Sequence, residues 1–182
     1  DVTLTDQNTT TTTAINLKGG NSISTFTTDA DGVRDELKTF DASGFLGNAV
    51  IKVTQNLIDD TVVFTGGPLT TDEIEYTLQA TGTDKLYSSG FEILDLLFTA
   101  TATLDTENAT GITTIDVNAT GGVTATISKL TGSEVILVTD AAANSDITPV
   151  LADATGSSDS ITFQIKEISS GIAAGADLNT AD

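Results

Sequence analysis

The segment DADGVRDE gathers four carboxylates that could bind a cation. Asp29, Asp31, Asp35 and Glu36 lie within one short stretch, and Gly32 allows the backbone to turn tightly between them. Carboxylate oxygens are the ligands that Ca²⁺ prefers, so these four residues are the candidate metal ligands and calcium is the expected ion. The alternative is structural, with a turn at Asp31 and Gly32 and with Asp35 and Glu36 adding negative charge to the first turn of a helix.

Two further carboxylate pairs, Asp72 with Glu75 and Asp105 with Glu107, have a spacing that could serve acid and base in glycoside hydrolysis. Among 26 acidic residues such pairs arise by chance, and the chain has no Trp to stack against a sugar. His and Cys are both absent, which excludes Ser-His and Cys-His nucleophiles, imidazole zinc sites and thiolate clusters. We therefore expect that the protein is not an enzyme.

Three Asn-x-Thr triplets are candidate glycosylation sites, at Asn8, Asn108 and Asn118. About one residue in five is Thr, so triplets of this kind also arise by chance. They mark positions where N-linked sugar could be attached if the producing cell has the machinery.

The formal net charge of −19 excludes whole classes of partner. Repulsion from a phosphate backbone argues against nucleic acid, and the same charge disfavours an anionic membrane surface. The longest apolar stretches are far shorter than the roughly 18 residues that a spanning helix requires, so membrane insertion is not expected. Calcium is the natural counter-ion for such a surface in an extracellular medium.

Short β-favouring segments separated by Thr-Gly pairs dominate the region from Gly90 to Gly132. The pairs end at Gly111, Gly121 and Gly132, roughly 10 to 11 residues apart, a spacing typical of short strands joined by turns. Further alternating segments follow as far as residue 168. The pattern predicts an all-β protein, specifically a β-solenoid resembling a parallel β-helix, with a β-sandwich as the alternative.

The rest of the chain predicts one β-rich domain with short appendages. Residues 1–14 form a flexible arm or an edge strand, 15–170 a single β-rich domain with a sub-boundary near 66–70 or 82–90, and 171–182 a tail or linker. Within the domain, residues 14–26 read as a hairpin around Gly19 and Gly20. Residues 33–40 read as a short helix, with Val33, Leu37 and Phe40 on one face.

Several phrases resemble those of a known family. They are DASGFLGNAVIKV at 41–53, GFEILDLLFTATATLD at 90–105, ATGITTIDVNATG at 109–121 and LADATGSSDSITFQI at 151–165. These resemble repeat phrases of bacterial surface-layer proteins and of giant adhesins exported by the RTX route. The calcium-binding nonapeptide of RTX proteins is missing, and ATGTDKLYSSG stands where a similar repeat would lie.

The resemblance implies an extracellular, calcium-dependent β-solenoid that assembles with copies of itself into a surface layer or a filament. Cations would screen or bridge its acidic surfaces. The alternative is a calcium-dependent adhesion or glycan-binding module of a larger secreted or phage-surface protein, with cell-surface polysaccharide as its partner. The first hypothesis predicts self-association without a ligand, and the second predicts saturable binding by a monomer.

Overall fold

The protein is described by a computed structural model that covers residues 2–5, 14–20, 24–27, 37–55, 61–141, 144–153, 155, 160–165 and 177–178. The fold is all-β, and no helix occurs in these ranges. None of them therefore contains a helix that could cross a membrane.

Within the described ranges, sixteen strands form two sheets of eight. The strands are β1 Val2–Thr5, β2 Ala14–Gly19, β3 Ser24–Thr27, β4 Thr39–Phe45, β5 Ala49–Thr54, β6 Val63–Thr65, β7 Glu73–Leu78, β8 Gly82–Ser89, β9 Ile93–Phe98, β10 Ala102–Thr110, β11 Thr114–Ala119, β12 Thr124–Leu130, β13 Val135–Ala141, β14 Asp146–Leu151, β15 Thr162–Ile165 and β16 Asp177–Leu178. The odd-numbered strands make the first sheet and the even-numbered strands make the second sheet.

The chain coils, because successive strands alternate between the two sheets and each strand pairs in parallel with the strand two places earlier and two places later. One turn of the coil therefore contains two strands and two corners. In the centre of the first sheet one turn runs from Glu73 to its partner Ile93, and the next runs from Ile93 to its partner Thr114. The predicted β-solenoid is confirmed. All-parallel pairing excludes the β-sandwich, whose sheets are antiparallel.

The Thr-Gly pairs of the sequence lie at corners. Gly111 lies between β10 and β11, Gly121 between β11 and β12, and Gly132 between β12 and β13. Gly111 and Gly132 have φ of 96° and 84°, a backbone conformation that glycine adopts without strain. The interval between successive Thr-Gly pairs is thus half a turn of the solenoid.

The core fills the space between the sheets, because alternate residues of each central strand point inward. Each position in one strand stacks on the equivalent position of the next turn, so the side chains form columns along the axis. One inward column of the first sheet contains Phe26, Ile51, Ile74, Leu94, Ile115 and Ile136. All six side chains are buried. Dense columns of this kind are the main source of stability in a parallel sheet.

Two local predictions need correction. The helix predicted over 33–40 is wrong where the structure describes it, because Thr39 and Phe40 begin strand β4; residues 33–36 lie outside the described ranges. Phe40 is fully buried, and Ala42 points inward beside it with the two-residue period of a strand. The predicted hairpin over 14–26 is also wrong, because β2 and β3 belong to different sheets.

Candidate functional site

Carboxylates form a column on the outer face of the first sheet. Glu75, Asp95 and Asp116 occupy equivalent positions in β7, β9 and β11, so they stack one turn above another. Neighbouring strands in a sheet lie about 4.8 Å apart, so these like charges are close neighbours. We refer to Glu75, Asp95 and Asp116 as the acidic column.

Both ends of the acidic column have side-chain partners. Lys52 precedes Glu75 in the same column and forms an ion pair with it. At the other end, the Thr139 hydroxyl donates a hydrogen bond to Asp116 Oδ1 over 2.5 Å. Glu73 lies beside the column in β7, and its pKa is raised first by burial and then by the nearby charges of Glu75 and Asp95. The first sheet thus presents a concentrated negative potential to solvent.

A shallow groove of about 200 Å³ runs beside the acidic column. Glu75 and Asp95 line one side, and Thr77, Leu97 and Asn118 come from the next outward column. Its lining combines carboxylate, hydroxyl and amide groups with one apolar side chain. Such a lining could hydrogen-bond the hydroxyl groups of a sugar.

The second sheet presents an uncharged column instead. Thr83, Thr103, Thr126 and Thr148 occupy equivalent outward positions on four consecutive turns. Stacked Thr residues suit a parallel sheet because β-branched side chains pack well on a pleated surface. The neighbouring outward column of the second sheet contains Lys85 and Asp105, which have opposite charges.

The corner that precedes the first sheet contains buried carboxylates. Asp72 has no solvent exposure, and its two oxygens accept hydrogen bonds from the N–H groups of Ala49 over 2.7 Å and Gly67 over 2.6 Å. Its own N–H donates to Glu92 Oε2 over 3.2 Å. Burial raises the pKa of Asp72, and also that of Glu92, one turn further along. Asp72 thus ties together backbone groups that no strand pairing satisfies.

Buried side chains at other corners also accept hydrogen bonds from backbone N–H groups. Glu134 accepts hydrogen bonds from the N–H groups of Thr131 and Gly132 over 3.1 Å and 2.9 Å. The Gln55 side-chain oxygen accepts from the N–H groups of Gln79 and Ala80 over 3.0 Å and 2.9 Å. These side chains are buried and serve the backbone, so we assign them a structural role.

Stability should increase as the pH falls from about 7 to about 4.5. Asp72, Glu73 and Glu92 have raised pKa values in the folded protein, so it binds protons before the unfolded chain does. Their contribution is fully present below the unfolded pKa values and is lost as the pH rises through the folded ones. Hydrogen bonds from Ser43 and Thr155 lower the pKa values of Asp41 and Asp153. The stability that these two groups contribute is lost on acidification, but only at a pH below this range.

Urea unfolding at a series of pH values measures this effect. We expect the unfolding midpoint to rise on acidification, and Glu73→Gln to flatten the rise because it removes one of the groups with a raised pKa. A midpoint that falls between about pH 7 and about pH 4.5 would contradict the assignment.

The two ends of the solenoid are different surfaces. Each sheet ends at edge strands, β1 and β15 in the first sheet and β2 and β16 in the second, and no described strand pairs with their outer sides. The apolar core reaches both ends, because the partly buried residues that pack against it include Ile15 and Leu17 at one end and Ile161 and Phe163 at the other. Ile165 in β15 is 61% exposed.

The edge strands contain few charges. Lys18 in β2 and Asp177 in β16 are the only charged residues within the four strands. Natural edge strands are commonly protected from pairing by charged side chains or by Pro. The ends of this solenoid are therefore favourable sites for adding another strand.

The metal ligands predicted from the sequence are not tested by this geometry. Asp29, Asp31, Asp35 and Glu36 lie outside the described residues. Among the residues that are described, no group of three or more carboxylates has a geometry that could hold a metal ion. Calcium binding stays a prediction.

The three predicted glycosylation sites fall in different places. Asn8 lies outside the described residues, and Asn108 is exposed in β10. Asn118 is half-buried in β11 and lines the groove beside the acidic column. A glycan on Asn118 would cover that groove.

The carboxylate pairs considered for acid and base chemistry have other roles here. Asp72 is buried in a corner, whereas Glu75 lies on the outer face and pairs with Lys52. Asp105 Oδ1 accepts a hydrogen bond from the N–H of Glu107 over 2.9 Å, at the point in β10 where its register with β8 shifts.

Sequence reasoning missed the corner carboxylates and the acidic column. A signal was present, because Asp72, Glu92 and Glu134 each come directly before a strand of the first sheet. Glu92 follows Asp72 by one turn of the solenoid, and Glu134 follows Glu92 by two turns. A search at the period of a whole turn would have aligned them, whereas the half-turn period of the Thr-Gly pairs does not.

Comparisons of this chain with protein families, with curated proteins and with solved structures find no match.

Proposed function

We propose that this protein is a structural component of a cell surface that assembles with copies of itself. The observation that carries the proposal is the state of the two ends, where each sheet, in the part of the chain that the structure describes, stops at a nearly uncharged edge strand and the apolar core is partly exposed. Burial of those edges against another copy would satisfy their backbone hydrogen-bonding groups and remove apolar surface from water. The resemblance of its repeat phrases to surface-layer proteins supports an extracellular location.

The charge of the protein supports a role for cations in this assembly. A formal charge of −19 makes identical copies repel each other at low ionic strength. The acidic column concentrates part of that charge on one outer face. Monovalent salt would screen the repulsion, and Ca²⁺ would also bridge carboxylates of neighbouring copies.

Light scattering and negative-stain electron microscopy of the 182-residue chain test this proposal. We expect little assembly at low salt, more in NaCl, and the most in CaCl₂ at matched ionic strength, with chelator reversing the calcium increment. Assembly that is indifferent to chelator would refute ion bridging. A monomer under every condition would refute self-assembly.

The groove beside the acidic column favours a second candidate, a glycan-binding module. Glu75, Asp95 and Asn118 supply groups that can hydrogen-bond sugar hydroxyls. This function requires saturable binding of cell-surface polysaccharide by the monomer, lost when Asn118 is replaced by Leu. Titration of fluorescent oligosaccharides into the monomer distinguishes the two functions.

A further inference from the structure

We infer that the C-terminal end of one copy binds the N-terminal end of the next, so that the first sheet continues in parallel register from copy to copy. This inference rests on the proposed function and specifies its partner and polarity. The C-terminal end is formed by β15 and β16, and the N-terminal end by β1 and β2.

The direction of the strands favours this arrangement. Every strand pair in the described fold is parallel, so a copy added along the axis can pair its β1 with β15 in the same way. Joining two like ends would instead place their edge strands antiparallel and break the stacking of equivalent positions. The head-to-tail contact adds a parallel strand pair of the kind that the first sheet already contains.

The register of the first sheet also continues across such a contact. Phe163 occupies the C-terminal position of the inward column that includes Ile136, and Leu4 occupies its N-terminal position next to Phe26. A following copy in register therefore brings its Leu4 position onto Phe163. The half-buried Phe163 would then be covered as the column residues in the centre of the solenoid are covered.

The polarity of the contact determines the form of the assembly. Because the contact joins two different surfaces, it does not close on itself, and repetition produces an open polar filament.

Disulfide trapping tests the polarity, because the chain has no Cys of its own. Thr5 and Gln164 occupy the first and last of the equivalent positions in the first sheet to which the acidic column also belongs. Within one molecule they are separated by about 34 Å, at about 4.8 Å per strand, so they cannot form an intramolecular disulfide. Across the inferred contact they become neighbours in adjacent strands, within disulfide range.

The experiment oxidises Thr5→Cys, Gln164→Cys and the double variant under the conditions in which light scattering shows assembly. We expect a ladder of disulfide-linked multimers from the double variant, only dimers from an equimolar mixture of the two single variants, and monomers from either single variant alone. A second double variant, Thr5→Cys with Thr148→Cys, places one thiol on the outer face of the second sheet and should give no ladder.

Each contrary result has its own meaning. Dimers from a single variant alone would show that like ends meet, and a ladder from the Thr148 control would show lateral contact; both overturn the inference while self-assembly stands. Assembly without any cross-link also overturns it. Loss of the scattering signal in the unsubstituted chain would instead refute the proposed function.

Discussion

Gly66→Ala is expected to lower the free energy of unfolding by about 3 kcal/mol or more. A Cβ atom at position 66 would lie 1.8 Å from the carbonyl oxygen of Gly90 and 2.5 Å from its carbonyl carbon. Both are backbone atoms of the next turn, so no side-chain rotation can relieve the overlap. The Gly66 N–H also donates to the Ser89 carbonyl over 2.8 Å, which holds the two corners together. Separation of the turns would strain this bond.

Urea unfolding of Gly66→Ala, followed by circular dichroism, measures the loss. Gly122→Ala is the matched control, because Gly122 has a φ of 76° and a Cβ there would meet no atom within 4 Å. That substitution introduces backbone strain alone, for which about 1 kcal/mol is expected. Equal losses in the two variants would show that close approach of the corners is not what requires glycine at position 66.

Asp72→Ala is expected to lower the free energy of unfolding by about 2 to 4 kcal/mol. The substitution leaves the N–H groups of Ala49 and Gly67 without their acceptors, in a corner where the Asp72 side chain has no solvent exposure. Asp72→Asn should cost less, because its amide retains one acceptor oxygen. The raised pKa of Asp72 lowers the net benefit of the ionised carboxylate but does not remove its hydrogen bonds.

Asp105→Ala is the control for this prediction. Asp105 also accepts a backbone hydrogen bond, from Glu107, but in an exposed position where water can replace it. We expect a change within about 0.5 kcal/mol. If Asp72→Ala changed stability no more than Asp105→Ala, the corner would not depend on its buried carboxylate.

The strands of the central region could be predicted from the sequence because their alternation is local. Ile115 and Val117 point inward while Thr114 and Asp116 point outward, and Gly111 and Gly121 mark the corners on either side. These features depend only on residues within half a turn. Parallel pairing was favoured by the short strands and close turns, and the structure confirms it.

The predicted hairpin and helix were wrong because the local sequence pattern at each place fits two structures. Gly19 and Gly20, with φ of 68° and 73°, have the local pattern of a hairpin turn, but Gly19 ends β2 and Gly20 follows it before the chain crosses to the other sheet. Leu37 and Phe40 have the spacing of a helix face, yet both are buried in the core, Phe40 within β4 and Leu37 just before it. Only pairing with residues a whole turn away distinguishes these outcomes.

The acidic column could not be predicted from local sequence patterns, for the same reason. Glu75, Asp95 and Asp116 are each separated by a whole turn of sequence, and only the parallel register of β7, β9 and β11 brings them together. Turn length varies elsewhere, as between Val135 and Thr162, so a fixed period does not recover every column. Loops at the corners absorb this variation without changing the pairing of the strands.

The rule that each strand pairs only with the strands two places away also bears on how the protein folds and how its length can change. Once one turn has formed, the next needs to close a segment of only about 20 residues onto an existing template, so folding can propagate along the axis. Duplication or loss of a whole turn would lengthen or shorten the rod and leave the contacts of more distant turns unchanged. Tandem duplication within the coding sequence can therefore change the length of the solenoid in steps of one turn.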